Sequence, residues 1–181
     1  MAGALLAALL PAGTQADGAL ERRYYDVRGT TAGELAAGIT ARSPLGVTAL
    51  TELAPTRIIL RPRRVSGGYV VGDLRFDDVI IQTLPRWVDR DRARPCLQRE
   101  WDRAMAALIR HEDTHRRRYE EYVARLRQEA LALPPQPSAG ALFSAVARLN
   151  KRLEEETVAW QQDYDRRTQH GRAEGVFIRG C

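Results

Sequence analysis

The stretch WDRAMAALIRHEDTHRRRYEEYVARL, residues 101–126, decides how the rest of the chain is read. Trp101, Met105, Leu108, Glu112, His115, Tyr119, Tyr122 and Leu126 recur at alternating spacings of four and three. That period lays one stripe along one helix face, with Arg103, Arg110, Arg117 and Glu121 on the opposite face. A helix is expected from about residue 99 until Pro134, Pro135 and Pro137 stop it. Two members of the inward stripe, Glu112 and His115, are polar, and an unpaired charge there would cost several kcal/mol.

His111-Glu112-Asp113-Thr114-His115 has the form HExxH. On a helix the i, i+4 spacing puts both imidazoles on one face, about one turn apart, within reach of one ion. Neutral imidazole nitrogens suit Zn²⁺, and Glu112 would lie beside the metal without ligating it. There it can take a proton from a water that the ion acidifies and pass it to a leaving amine. The bland alternative is a charged helix carrying HExxH by accident, as surface i, i+4 pairs. The inward placement argues against it, as does a chain with only three histidines, two of them in the motif.

Downstream, Ser138 can cap a second helix carrying Leu142, Val146, Leu149, Leu153, Glu156 and Trp160. A connection of about six residues favours an antiparallel helix pair. Upstream, residues 24–28 read as a short strand, and Thr30 or Thr31 caps a helix through Arg42 with Leu35 and Ile39 inward. Three β-rich runs follow at 56–64, 68–76 and 78–84. Ser66-Gly67-Gly68 turns the first two into a hairpin, and an antiparallel meander is expected, ending at Pro85 or placing it at an edge. The expected fold class is therefore α+β, a small antiparallel sheet packed on a long helix and its antiparallel neighbour.

At 181 residues, 44% hydrophobic and 28% charged, the chain suits one domain. No run approaches the ~20 apolar residues of a membrane span. The net charge of +5 comes from 28 basic against 23 acidic residues, with no basic block interleaved with aromatics, so nucleic-acid binding is not indicated. Arg57, Arg61, Arg63 and Arg64 read as a solvated strand face, better suited to an anionic cell-surface glycan than to DNA. Residues 1–16 have the apolar run and small-x-small site of a signal-peptide remnant, without a positive n-region, leaving 17–181 as the mature domain of a secreted or periplasmic protein. Pairing of Cys96 with Cys181 would fit that compartment.

Residues 24–30 (YYDVRGT), 84–87 (LPRW), Trp101, the HExxH run and 164–171 (YDRRTQHG) together resemble a bacterial family of unknown function, labelled predicted secreted zinc-dependent protease. The resemblance spans roughly residues 22–178 and implies a secreted, zincin-like metallopeptidase. It also points to His170, in the terminal motif, as the third zinc ligand beside His111 and His115. Counting equal distances from the helical turn points instead to Glu156, and Asp165 is a further candidate, as a ligand or as a carboxylate orienting His170. Tyr119, Tyr122 and Tyr164 are candidates for donating to an oxyanion, although stripe aromatics are more often core. By analogy with other zincins, the strand at 78–84 could take a peptide substrate by strand addition. The expected reaction is amide hydrolysis with Glu112 as general base. The alternatives are a zinc-binding module without turnover and a non-enzymatic envelope interaction protein.

Overall fold

A computed structural model of the chain describes residues 19–43, 46–54 and 57–180; the signal-like 1–16 and Cys181 lie outside these. The elements run β1 (Ala19–Val27), α1 (Ala32–Arg42), β2 (Leu50–Leu53), β3 (Arg57–Val65), β4 (Gly68–Asp77), β5 (Val79–Trp87), α2 (Pro95–Leu131) and α3 (Ala139–Thr168). Short 3₁₀ turns follow β5 and α3. The class is α+β, as the patterning indicates.

Thr31 caps α1: its hydroxyl accepts from the Glu34 N–H at 3.2 Å while the Glu34 carboxylate accepts from the N–H groups of Thr30 and Thr31. This reciprocal arrangement satisfies donors that a helix start leaves unmatched, and it sinks Leu35 fully into the core. β3 and β4 form the expected hairpin around Ser66-Gly67. A bulge between Arg61 and Pro62 accommodates the proline, which has no N–H for a ladder. At the hairpin tip Tyr69 and Gln136 exchange backbone hydrogen bonds of 2.8 Å, so the hairpin docks on the α2–α3 connection. Arg57, Arg61, Arg63 and Arg64 are exposed, as expected.

The meander does not continue. β5 leaves the hairpin after Asp78 and becomes the middle strand of a separate sheet, ordered β1-β5-β2. It pairs in parallel with β1 (Ala19 with Val79 through Val27 with Trp87) and antiparallel with β2 (Leu50 with Thr83 through Leu53 with Ile80). A central strand covered on both faces is buried at consecutive residues, as β5 is at Ile80, Ile81 and Gln82 and at Leu84 and Pro85, whereas β4 is buried only at Val71 and Leu74. Nor does β5 end before Pro85, as it continues to Trp87. The four-residue β2 pairs only with Ile80–Thr83, so Pro85 has β1 on one side and no described strand on the other.

α2 begins at Pro95, earlier than the apolar period indicates, because proline suits the first helical position and Leu97 already packs inward. Trp87 and Trp101 meet at 5.4 Å between ring centres, and with Val27, Leu35, Ala93 and Leu97 they form one core cluster. A second cluster buries Tyr122, Val123 and Leu126 of α2 against Leu142, Val146, Leu149 and Leu153 of α3 and against Val71 and Leu74 of β4. The helices are antiparallel, with Tyr122 donating to Asn150 and Arg125 paired to Glu156. Beyond Leu153 the buried line on α3 runs through Thr157, Gln161, Tyr164 and Thr168, whereas Glu156 and Trp160 flank it. Cys96, in the first turn of α2, is disulfide-bonded. Among the described residues no helix is long and apolar enough to cross a membrane.

Candidate metal centre

α2 presents His111, Glu112 and His115 inward, at 4%, 4% and 7% exposure. The two imidazoles stand edge to face, 4.8 Å apart, with their Nε2 atoms 3.2 Å from each other. Across the helix pair, Asp165 of α3 places Oδ1 3.2 Å from His111 Nε2 and 3.0 Å from His115 Nε2. This His-His-Asp group can hold a metal ion.

The far side of each ring fixes its protonation. His111 Nδ1 lies 2.9 Å from Glu174 Oε2, and an ionised carboxylate only accepts, so Nδ1 carries the proton. His115 Nδ1 contacts Gln161 Oε1, while Gln161 Nε2 donates to the His115 carbonyl at 3.2 Å. That second bond sets the amide orientation, so Nδ1 of His115 also donates. In neutral rings protonated at Nδ1, both Nε2 atoms have a lone pair to offer an ion beside the Asp165 carboxylate oxygen. Outward N–H groups on acceptors are how metal-binding histidines are oriented.

The C-terminal segment builds half of this arrangement. After α3, Gln169, His170 and Gly171 all have positive φ, and the chain doubles back to bring Glu174 to His111. Thr168 stabilises the reversal, its hydroxyl donating to the Tyr164 carbonyl and accepting the Gly171 N–H. At Gly171 (φ 80°) an added Cβ would lie 2.6 Å from Val176 Cγ2 and 3.2 Å from His111 Cγ, so the position requires glycine. Arg103 of α2 anchors the segment through the carbonyls of Gly175 and Phe177. Tyr164 stacks on the His111 ring at 4.9 Å and donates to Glu174.

Glu112 is held from β2. Thr51 donates to its Oε2 at 2.7 Å, and Glu112 lines the cleft. Burial pushes the Glu112 carboxyl above its usual range, opposed by the Thr51 hydrogen bond. The cleft, about 500 Å³, is bounded by residues 46–51, the HExxH residues, Tyr119, Gln161, Asp165 and His170.

His170 sits at the rim, its side chain 71% exposed and its Nδ1 3.8 Å from Asp165 Oδ2. The donors brought together with His111 and His115 are those of Asp165, not of His170. Glu156 is bonded to Arg125 and Arg152, so it serves as a partner for basic residues and is turned from the cleft. An equal count from the turn assumes helices that start level. Here His115 faces Gln161 and His111 faces Asp165, several residues further along α3. Of the tyrosines, Tyr122 bonds to Asn150 and Tyr164 to Glu174, while Tyr119 borders the cleft with no hydrogen-bond partner among the described residues. Gln161 and Glu174 are not singled out by the sequence patterning. Gln161 had a legible signal, lying one helical turn before Asp165 on the same face. Thr51 had none.

The chain belongs to the DUF922 family, bacterial proteins of unknown function, which matches residues 22–171. No curated protein and no solved structure matches it.

Proposed function

We propose that this protein is an exported zinc-dependent hydrolase of peptide bonds, of zincin-like type, with His111, His115 and Asp165 as protein ligands and Glu112 as general base. The observation that carries the reading is the convergence of two imidazole Nε2 atoms and a carboxylate oxygen, each ring braced from behind by an acceptor. The separations of 3.0–3.2 Å fit a zinc ion, since ligands about 2.0–2.1 Å from a tetrahedral ion stand roughly 3.3 Å apart. Three protein ligands with a cleft beside them also suit a catalytic site, which keeps a position open, better than a closed structural one.

A bound zinc ion would supply Lewis acidity and lower the pKa of water in the cleft to about 7. The remaining work falls to the chain's own groups. Thr51 holds Glu112 by one oxygen, and the carboxylate, which lines the cleft, would accept a proton from water there. Burial raises the basicity of that carboxylate, which suits it both to take the proton and to release it to the departing amine. The unengaged phenol of Tyr119 is the hydroxyl best placed to donate to a developing oxyanion. Export is supported by the disulfide at Cys96, a bond that persists in oxidising compartments.

The test is metal analysis of the wild type, His115→Ala and Glu112→Gln, with peptide-library cleavage measured in parallel. Glu112→Gln should retain near-stoichiometric zinc while hydrolysis falls by about a hundred- to ten-thousandfold. His115→Ala should lose both. Cleavage by Glu112→Gln at the wild-type rate would overturn the mechanism, and zinc binding without any turnover would leave a metal-binding module.

A further inference from the structure

Tyr119 borders a second cavity beside the metal-centre cleft, of about 310 Å³, whose walls include Glu52, Leu53, Ile58, Glu154, Thr157 and Val158. The two spaces are joined by β2. Thr51 holds Glu112 at the cleft, and the next residues, Glu52 and Leu53, line the second cavity. β2 is an edge strand, and a chain lying beside it advances about 3.3 Å per residue, so neighbouring residues of one peptide reach both spaces.

The second cavity has a particular chemistry. Leu53, Ile58 and Val158 are apolar. Glu52 and Glu154 are carboxylates without an ion pair among the described residues; Arg23, whose charge interacts with Glu52, is itself bonded to Glu21 at 2.8 Å. Thr157 is only 4% exposed, lines the cavity, and has no hydrogen-bond partner among the described residues. A hydroxyl without a protein partner on a cavity wall can bond a polar ligand atom. An acidic side chain entering here would be repelled, and a purely apolar one would leave both carboxylates and the hydroxyl unmatched. Arginine or lysine meets every wall, its methylene stem on the apolar residues and its cationic head between the carboxylates.

We propose that this cavity is the subsite for a basic side chain, arginine or lysine, on the peptide cleaved at the metal centre. The proposal rests on the hydrolase reading above. It is tested with internally quenched peptides carrying arginine, norleucine or glutamate at each position flanking the cleaved bond, and by calorimetric binding of the same peptides to zinc-loaded Glu112→Gln protein. The arginine peptide should exceed the norleucine peptide by about tenfold in kcat/KM and in affinity, as expected for a cation between two partly exposed carboxylates. In Glu52→Gln/Glu154→Gln the ratio should fall to near one, and in Glu52→Lys/Glu154→Lys the glutamate peptide should become the preferred one. Equal cleavage or binding of the three peptides, or an arginine preference that survives both double variants, overturns the subsite. If no peptide is cleaved the hydrolase reading fails, and the binding ratio still decides the subsite.

Discussion

Removing the groups behind the two imidazoles should weaken metal binding by unequal amounts, because the two positions differ in access to water. Loss of a hydrogen-bond partner behind a metal ligand lowers affinity by about 10–100-fold, or roughly 1.4–2.7 kcal/mol. Glu174 is 39% exposed, so in Glu174→Ala a water can take its place at His111 Nδ1, and a loss near tenfold is expected. Gln161 is 9% exposed and serves His115 twice, accepting from Nδ1 and donating to the backbone carbonyl. Gln161→Leu removes both bonds at a position far less open to water than Glu174, and the loss should approach a hundredfold. Asp165→Ala removes a donor atom itself and should exceed both. His170→Ala alters an exposed side chain and should stay within about twofold of wild type. Competition against a chromogenic chelator measures each affinity, and the metal-induced rise in Tm gives a second readout tied to the folded state. The reasoning fails if Gln161→Leu binds zinc like wild type, or if His170→Ala loses more affinity than Asp165→Ala.

Three further substitutions probe the support around the site. Gly171→Ala forces a methyl group to within 2.6 Å of Val176 at a left-handed position, and should cost about 1–3 kcal/mol in urea denaturation while also lowering zinc affinity through Glu174. Thr51→Val removes a hydroxyl of similar size that donates to the Glu112 carboxylate; a hydrogen bond to a charged group is worth about 1.5–3 kcal/mol, so kcat should drop at least tenfold with zinc content unchanged, as read by steady-state kinetics beside metal analysis. Leu153→Ala empties a 1%-exposed position between α2, α3 and the hairpin, and should lower stability by about 2–5 kcal/mol in the same denaturation assay.

Local information explains which parts of this architecture can be read from residue order. The α1 cap, the Ser66-Gly67 hairpin and the stripe on α2 are written in residues within four or five positions of one another, and each forms where its pattern lies. The pairing of β1 with β5 joins positions 60 apart, with a helix, a short strand and a hairpin between them, and nothing in either strand names its partner. β2 is four residues, LTEL, too short to stand out by alternation, yet it carries Thr51 and Glu52. On α3 the inward face is harder to follow than on α2. The first two buried positions past Leu153 are Thr157 and Gln161, both polar, so an apolar stripe fades where the site begins, and Glu156 and Trp160 lie just off its line.

That fading has a physical reason. The i, i+4 spacing on α2 fixes only that two rings share a face; it leaves open which nitrogen of each ring bears the proton and whether a third donor stands opposite. Those are decided by Gln161 and Asp165, one turn apart on α3, and by Glu174, which returns to the site through a reversal built on Thr168 and Gly171. Each is polar because it meets an imidazole nitrogen, and of the three only Gln161 is buried. A buried position of that kind looks, in the sequence, like an exposed one. The terminal YDxxTxHG stretch acts through its tyrosine, aspartate, threonine and glycine. Tyr164 stacks on His111, Asp165 completes the His-His-Asp group that could hold an ion, and Thr168 and Gly171 close the turn, while His170 occupies a left-handed position on the outside of that turn. The histidine that composition singles out is thus carried to the rim by the same reversal that delivers Glu174 to the centre.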